Sequence, residues 1–315
     1  PVGHAGPDHP GTRDQPLAAQ DAQMTGDPPP RKRVVTMTGA YQRRNYTVYD
    51  LIQHKGTGQK VQAMTFTPEE AEAAEAAALD MINIRWTAQR PEDAVALRRA
   101  APETFMTFCM PPTLAASETE ALRAAFTAME AGADSVYCAW SARYIEAMAA
   151  AGVPVMGHIG LVPRKSTWTG GLRAVGKTPD QAKALHADLK ALENAGAWAV
   201  ECEVIPHNVM AVLARDTSLV TISLGSGTDC DVQHLFAEDI LGTAEAPPAR
   251  HGKRYRNLYD AYQRLQGERI AAFAEYADEV RNGAFPQPRH LVQADSSTVL
   301  VLEDLIARGV TDGPL

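Results

Sequence analysis

The sequence has no long apolar run and no surplus of positive charge. Its 315 residues contain no stretch of 18 apolar residues, so no membrane span is expected. The 30 lysines and arginines stand against 38 aspartates and glutamates, a net charge of −8, which argues against a nucleic-acid-binding protein. The first residues lack the charged-then-apolar order of a signal peptide. We therefore expect a cytoplasmic protein whose partner is a small molecule rather than a membrane or a nucleic acid.

Cysteine is scarce and widely spaced. The four cysteines are Cys109, Cys138, Cys202 and Cys230, and none forms a C-x-x-C pair, so a zinc knuckle or a thioredoxin motif is unsupported. Each lies in or beside an apolar run, where free thiols pack as small hydrophobic groups. A reducing compartment fits this pattern best.

The first 30 residues have few large apolar side chains. They are rich in proline, glycine, aspartate and glutamine and cannot bury enough surface to offset the entropy of ordering, which predicts a disordered tail. Residues 31–315 are predicted to form a single domain with a C-terminal helical extension. The composition, 45% hydrophobic, is sufficient for a large core.

Apolar strands alternate with helices from Lys60 onward. The predicted strands are "KVQAMTF", "DMINI", "TFMTFCM", "DSVYCAW", "VPVMGHI", "AWAVECEVI", "LVTISLG" and "DVQHLF". Strands such as "VPVMG" are apolar without alternation, as expected when both faces are covered. Eight such units predict a (β/α)8 barrel, and an open doubly wound sheet is the alternative. No G-x-G-x-x-G follows the first strand to favour that alternative.

Three helices are predicted outside the barrel. A short one follows Thr47, its N-cap, and ends before Gly56. A long one covers about residues 257–282, and another follows Ser296. We expect the last two to pack on neighbouring subunits.

Catalytic side chains of such barrels lie at the carboxyl ends of the strands. Glu203 lies in the apolar run "AWAVECEVIP", where burial would raise the carboxyl pKa toward the range a general acid or base requires. Glu201 is two residues away and therefore faces the same side of the strand. The alternative is that one of the two glutamates pairs with an arginine.

Polar groups at other strand ends and in nearby loops each allow two alternative roles. His158 is either a catalytic group or a ring packed at a strand end and hydrogen-bonded to backbone. Cys109 is either a nucleophile or a packed thiol. The loop "GSGTDCD" around Ser226 offers backbone N–H groups to an anion, or is a simple turn. Arg164 and Arg173 either belong to a mobile lid over an acidic substrate or are solvated loop charges.

The segment "GVPVMGHIGLVP…GGLRAVGKT" resembles the ketopantoate hydroxymethyltransferase family, as do "ALENAGAWAVECEVIP", "TISLGSGTDCDVQHLFAEDILG" and "YADEVRNGAFP". The resemblance implies a barrel of the phosphoenolpyruvate/pyruvate superfamily and a homo-oligomer, a pentamer or decamer. It also implies transfer of a one-carbon unit from 5,10-methylenetetrahydrofolate to the enolate of a 2-oxo acid held by Mg²⁺, a step of pantothenate biosynthesis. Glu203 matches the family's catalytic glutamate and His158 its strand-five histidine.

The resemblance fails at the metal. The family's oxygen ligands on the second, third and fourth strands are matched by Trp86, Cys109 and Ala139, and its lysine by Tyr137. Mg²⁺ requires hard oxygen donors, so Mg²⁺ binding is doubtful. Arg85 is the candidate to stabilise an enolate instead, with Arg164 or Arg173 as a second source of positive charge, unless Arg85 faces the helices.

The remaining predicted substrate-binding residues complete the pocket. Trp86, Trp140 and Tyr137 would make it aromatic and suited to stacking or cation–π contact. The full set of predicted substrate-binding residues is Thr65, Arg85, Trp86, Cys109, Tyr137, Trp140, Glu201 and Ser226, beside the catalytic Glu203 and His158.

Three functions are compatible with these observations. The first is a metal-independent enzyme that makes or breaks a carbon–carbon bond next to the carbonyl of a small oxo acid. The second is a genuine 3-methyl-2-oxobutanoate hydroxymethyltransferase with a metal site relocated to Glu201, Glu203, His158 or Asp229. The third is a non-catalytic paralogue that binds a ligand or a partner subunit.

Overall fold

A computed structural model describes residues 30–309. The predicted disordered tail, apart from Pro30, lies outside the described residues. The chain divides into two compact units, Pro1–Ala237 and Glu238–Leu315. The single domain predicted for residues 31–315 stays a prediction, and the two units are described separately.

The described residues contain ten strands and eleven α-helices. The strands are β1 (Lys32–Val35), β2 (Tyr41–Arg44), β3 (Lys60–Thr65), β4 (Met81–Arg85), β5 (Phe105–Cys109), β6 (Ser135–Tyr137), β7 (Val155–Gly160), β8 (Ala199–Glu203), β9 (Val220–Leu224) and β10 (Val232–Phe236). The helices are α1 (Val48–Gln53), α2 (Pro68–Ala76), α3 (Pro91–Ala100), α4 (Glu118–Glu130), α5 (Ala142–Ala150), α6 (Ser166–Thr169), α7 (Pro179–Asn194), α8 (His207–Leu213), α9 (Ala237–Leu241), α10 (Leu258–Asn282) and α11 (Ser296–Ala307).

Strands β3 to β10 form a closed parallel barrel. Each strand pairs with its neighbours in sequence, and β10 pairs with both β9 and β3 to complete the ring. The predicted (β/α)8 barrel is confirmed, including the eighth strand. Because all eight strands run in one direction, their carboxyl ends meet at a single mouth.

Two apolar layers build the barrel unit. One fills the amino-terminal half of the barrel interior and includes Met81, Phe105, Met156 and Ile222, all fully or almost fully buried. The other lies between strands and helices and contains the alternate residues of the same strands, such as Ile82. Because apolar groups close the lower half of the barrel, the polar inward-facing residues are concentrated toward its mouth.

Local sequence explains where the barrel helices begin. Thr67, Ser117 and Thr178 precede α2, α4 and α7, and each side-chain oxygen accepts a hydrogen bond from the backbone N–H three residues later. Thr47 caps α1 in the same way, as predicted. The antiparallel hairpin of β1 and β2 was not predicted, because its mostly exposed, charged residues show no apolar alternation.

The second unit contains the two C-terminal helices that the sequence predicted. Helix α10 begins after Asn257, whose side chain accepts from the N–H of Asp260, and ends at Gly283, a left-handed residue with φ of 77°. Side chains such as Phe273 on α10 and Ile306 on α11 are more than 70% exposed within this chain. The packing of these helices on neighbouring subunits stays a prediction. Among the described residues, none of the helices has the length and apolar character needed to cross a membrane.

A buried ion network joins the hairpin, α3 and β6. The carboxylate of Asp134 accepts hydrogen bonds from Arg44 Nε at 2.6 Å and Arg98 Nη1 at 3.0 Å. The two arginine side chains are only 3% and 9% exposed. Burial lowers the pKa of Arg98 to about 10, and the charge of Asp134 opposes this shift, so the buried guanidinium stays charged at neutral pH.

Replacing Asp134 by alanine should destabilise the protein by about 3–5 kcal/mol, because two buried guanidinium groups lose their counter-ion. Asp93→Ala, which removes the carboxylate of an exposed pair with Arg90, is the matched control and should change stability by about 0.2–1 kcal/mol. Chemical denaturation of both variants measures the difference. Equal effects would contradict a structural role for the buried network.

Candidate active site

A cavity of about 420 Å³ opens at the carboxyl ends of the barrel strands. Its lining comes from all eight barrel strands and from some of the loops that follow them. The predicted residues that line it are Arg85, Trp86, Cys109, Tyr137, His158, Arg164, Glu201 and Glu203. The structure therefore brings both predicted catalytic residues together with most of the predicted binding residues.

Glu201 and Glu203 lie on β8 and face the cavity from the same side of the strand, as their spacing predicted. Both residues are buried, with 5% and 8% of their surface exposed. The chain then turns at Val204, which has a φ of 49°. Ser226 stabilises this turn, because its hydroxyl donates to the carbonyl of Cys202 and accepts from the N–H of Ile205. Ser226 does not line the cavity, so its predicted contact with substrate is not supported.

Tyr137 joins Glu201 to His158. The Tyr137 hydroxyl is 3.0 Å from Glu201 Oε1 and 2.5 Å from His158 Nδ1. On the other side of the imidazole, Nε2 is 2.7 Å from the carbonyl oxygen of Leu161. Since a carbonyl only accepts, Nε2 carries the proton in this pair. His158 thus makes the predicted hydrogen bond to backbone while its ring nitrogens also lie 3.5 Å from Glu201 and 3.7 Å from Glu203.

Burial shifts the pKa values of these groups in opposite directions. The pKa of Glu201 rises to about 7, although the hydrogen bond with Tyr137 opposes the rise. Burial, followed by repulsion from Glu201, raises the pKa of Glu203 to about 8. Burial lowers the pKa of His158 to about 4, so its imidazole is neutral at physiological pH. Two carboxyl groups that exchange protons near neutrality suit general acid–base catalysis.

Arg85 brings positive charge to the opposite wall. It is the last residue of β4, lines the cavity, and its guanidinium carbon lies 5.7 Å from the ring centroid of Phe66. The alternative in which Arg85 faces the helices is therefore excluded. No carboxylate lies within 4.0 Å of the guanidinium in the described part of the chain. Its charge is available to an acidic ligand.

Cys109 and Trp86 line the cavity as predicted, and both are closely packed. Burial raises the pKa of the Cys109 thiol well above its usual range, which favours the packed-thiol interpretation over a nucleophile. Trp86 borders the cavity, but it is only 1% exposed and its ring stacks on Phe108 at 5.6 Å. Arg85, not Trp86, presents its side chain at the end of β4.

Thr65 and Trp140 lie outside the cavity lining. Thr65 follows Met64, which faces the cavity, so its side chain points to the other side of β3. Trp140 donates its indole N–H to the carbonyl of Pro112 and lines a separate cavity. Arg173 donates to the carbonyl of Gly170 within its own loop. These positions do not support the predicted substrate contacts of Thr65 and Trp140.

Several polar residues of the barrel interior were missed from the sequence. Asn83 lines the cavity, is fully buried, and has no hydrogen-bond partner for its amide among residues 30–309. Thr107, its register partner on β5, likewise has an unpaired hydroxyl within that range. His234 lines the cavity from β10 and is 3.0 Å from the amide nitrogen of Gln62. Counting back two residues from Arg85 and Cys109 would have found Asn83 and Thr107.

The residues present do not fit the Mg²⁺ that the family resemblance implies. Where oxygen ligands are expected, the strand ends present a guanidinium, a thiol and the methyl group of Ala139. His158, Glu201 and Glu203 do have one ligand atom each within 4.8 Å of one another. However, both imidazole nitrogens are already hydrogen-bonded, and two glutamates alone give few of the six oxygens that Mg²⁺ prefers.

The other predicted ligand of a relocated metal site, Asp229, is exposed and does not belong to this group of three.

The fold and the site define a (β/α)8-barrel enzyme with two buried glutamates at the carboxyl end of one strand. The family profile described as ketopantoate hydroxymethyltransferase matches residues 91–288, which is well over half of the chain. The chain belongs to the ketopantoate hydroxymethyltransferase family, a family of enzymes.

Two curated relatives illustrate the degree of similarity. The 3-methyl-2-oxobutanoate hydroxymethyltransferase of Pyrobaculum islandicum is 37% identical over 199 residues, 62% of this chain and 73% of the relative. That of Deinococcus radiodurans is 38% identical over 197 residues, 61% of this chain and 67% of the relative. Among solved structures, 2,3-dimethylmalate lyase, a PEP mutase/isocitrate lyase superfamily member, is 12% identical with a TM-score of 0.44 and covers 84% of this chain and 97% of its own.

Glu203→Gln should stabilise the protein at pH values near 8. The folded-state pKa of Glu203 is raised to about 8, so the folded state binds more protons than the unfolded state above about pH 4.3. The contribution of this carboxyl to stability therefore falls as the pH rises from that value through about 8. A neutral glutamine avoids this loss, and the gain should be on the order of 1–3 kcal/mol at about 1.4 kcal/mol per pKa unit.

Thermal unfolding at mildly acidic and mildly alkaline pH measures the effect, which should shrink at acidic pH. Glu72→Gln, at an exposed position on α2, is the control and should show no such dependence. Equal stability of wild type and Glu203→Gln at alkaline pH would contradict the raised pKa.

Proposed function

We propose that the protein makes or breaks a carbon–carbon bond next to the carbonyl of a small 2-oxo acid, with Glu203 as the general acid–base residue and without Mg²⁺. One structural observation gives the main support for this proposal. Two buried glutamates on β8 face a cavity whose opposite wall presents Arg85, Cys109 and Ala139 instead of oxygen ligands.

Glu203 is suited to the proton transfer at carbon. Its raised pKa makes its carboxylate a stronger base than an exposed glutamate, and it has no hydrogen-bond partner within residues 30–309. It removes a proton from the carbon beside the carbonyl, and the electrons of that C–H bond form an enolate. In the reverse direction, the protonated carboxyl returns the proton to carbon.

Arg85 supplies positive charge to the acid. A guanidinium binds a carboxylate through two parallel hydrogen bonds and can share its charge with the adjacent enolate oxygen. A buried cavity of about 420 Å³ strengthens that attraction and accepts a small oxo acid such as 3-methyl-2-oxobutanoate, named in the relatives' activity. The one-carbon unit of the family's reaction, carried by 5,10-methylenetetrahydrofolate, is the electrophile that we propose for the enolate.

Calorimetric titration tests this binding mode. The metal-stripped protein should bind 3-methyl-2-oxobutanoate, and added Mg²⁺ should leave the affinity unchanged. Arg85→Ala should weaken binding about 10- to 100-fold, because a hydrogen bond to a charged group contributes about 1.5–3 kcal/mol. Arg90→Ala, an exposed arginine outside the cavity lining, is the control.

Two results would refute the proposal in different ways. Binding that requires Mg²⁺ would favour a metal-dependent 3-methyl-2-oxobutanoate hydroxymethyltransferase. Failure to bind any 2-oxo acid, with thermal stability unaffected, would favour a non-catalytic paralogue.

Glu203→Gln should lower turnover at least ~100-fold while leaving substrate affinity nearly unchanged, because general acid–base catalysis typically contributes 10²–10⁴-fold. Exchange of the substrate's carbon-bound proton with deuterated solvent, followed by NMR, measures the proton transfer without a one-carbon donor. Exchange at the wild-type rate in Glu203→Gln would exclude this residue as the base.

A further inference from the structure

Two polar side chains at the floor of the cavity have no partner in the described part of the chain. Asn83 lines the cavity from β4 and is 0% exposed. Neither the oxygen nor the nitrogen of its amide has a hydrogen-bond partner within residues 30–309. Thr107 on β5 is also 0% exposed, and its hydroxyl is unpartnered over the same range. Buried polar groups in proteins are nearly always hydrogen-bonded, so three unpartnered atoms side by side indicate a binding position for a polar group.

The barrel register brings these two side chains together below the mouth. Asn83 and Thr107 are direct register partners, and adjacent strands lie about 4.8 Å apart. The next inward-facing pair along the same strands is Arg85 and Cys109, which both line the cavity. At about 3.3 Å per residue, the Asn83–Thr107 pair lies about 6.6 Å deeper in the barrel than the Arg85–Cys109 pair.

Asn83 and Thr107 form a polar floor that the adjacent strands do not satisfy. On β3 the register partner of Asn83 is Met64, whose thioether is a poor hydrogen-bonding group. On β6 the register partner of Thr107 is Ser135. The Ser135 hydroxyl already accepts from the indole N–H of Trp198 at 2.8 Å and donates to a backbone carbonyl. The hydrogen-bonding capacity of the polar floor is therefore available to a ligand in the cavity.

The chemistry of the polar floor selects a group that both donates and accepts hydrogen bonds. The amide of Asn83 offers N–H donors and a carbonyl acceptor, and the hydroxyl of Thr107 can act in either way. A hydroxyl on the ligand can donate to one of these residues while it accepts from the other. A methyl group would leave the atoms of the polar floor unpaired, and a carboxylate could not donate to the Asn83 oxygen.

We propose that the polar floor binds a hydroxyl at the end of the substrate's side chain, so that the substrate is a 2-oxo acid with a hydroxylated side chain. This inference rests on the proposed function and narrows its substrate class. When Arg85 holds the carboxylate, a hydroxyl about 6.6 Å deeper lies at the other end of a chain of about four or five carbons. The two anchors hold the carbon beside the carbonyl between them, in place for proton transfer.

Calorimetric titration with two ligands of equal size tests this selectivity. The probes are 4-hydroxy-2-oxobutanoate and 2-oxopentanoate, which differ only in a hydroxyl in place of a terminal methyl group. The wild-type protein should bind the hydroxylated acid at least ~10-fold more tightly, because the methyl group leaves buried polar atoms unpaired. The double variant Asn83→Leu, Thr107→Val should lose this preference. Thr127→Val, at an exposed position on α4, is the control and should keep it.

Thermal unfolding of the double variant distinguishes ligand binding from a structural role. Its unfolding temperature should be no lower than that of the wild type, because the substitutions remove no hydrogen bond within residues 30–309. A clear loss of stability would show that the polar floor holds a structural water, and would overturn the inference. Equal wild-type affinity for the two probes, with 3-methyl-2-oxobutanoate still bound, would overturn this inference alone. Failure to bind any of the three acids would overturn the proposed function as well.

Discussion

Desolvation of two carboxyl groups on one strand is the constraint on which the site depends. Glu201 and Glu203 face the barrel mouth from β8, and their pKa values rise because water cannot reach the charged forms. The raised values exist only because the barrel is closed and its lower half is filled by apolar side chains such as Met156 and Ile222. A more open barrel would hydrate both glutamates and return them to ordinary surface acids.

The same burial explains the neighbouring groups. A histidine between two carboxyl groups would ordinarily be charged, yet His158 is enclosed and tied to a backbone carbonyl, so its neutral form is favoured. Tyr137 adds an uncharged hydroxyl between His158 and Glu201. Positive charge enters instead from Arg85 on the opposite wall. The cavity thus combines one guanidinium with two buried carboxyl groups.

The sequence predicted the fold more completely than it predicted the site. Strand–helix alternation predicted all eight barrel strands, and the predicted helices around 257–282 and after Ser296 are present. At the site, period-two spacing placed Glu201 and Glu203 on one face. It could also have found Asn83, which lies two residues before Arg85 on β4. The family resemblance assigned Trp86 to a metal-ligand position at the end of β4, whereas its side chain is buried and stacks on Phe108.

The sequence by itself determined the barrel, its family and the presence of a carboxylate in an apolar strand, because these depend on local periodicity and on motifs along the chain. Only the tertiary structure decided which groups meet at the mouth. Tyr137, His158 and Glu201 lie on three successive strands, and their hydrogen bonds arise from barrel register, with His158 directly opposite Glu201. Tyr137 and Glu201 are 64 residues apart in the sequence and meet only because their strands lie close together in the barrel. Local sequence pattern carries no information about contacts over such a separation.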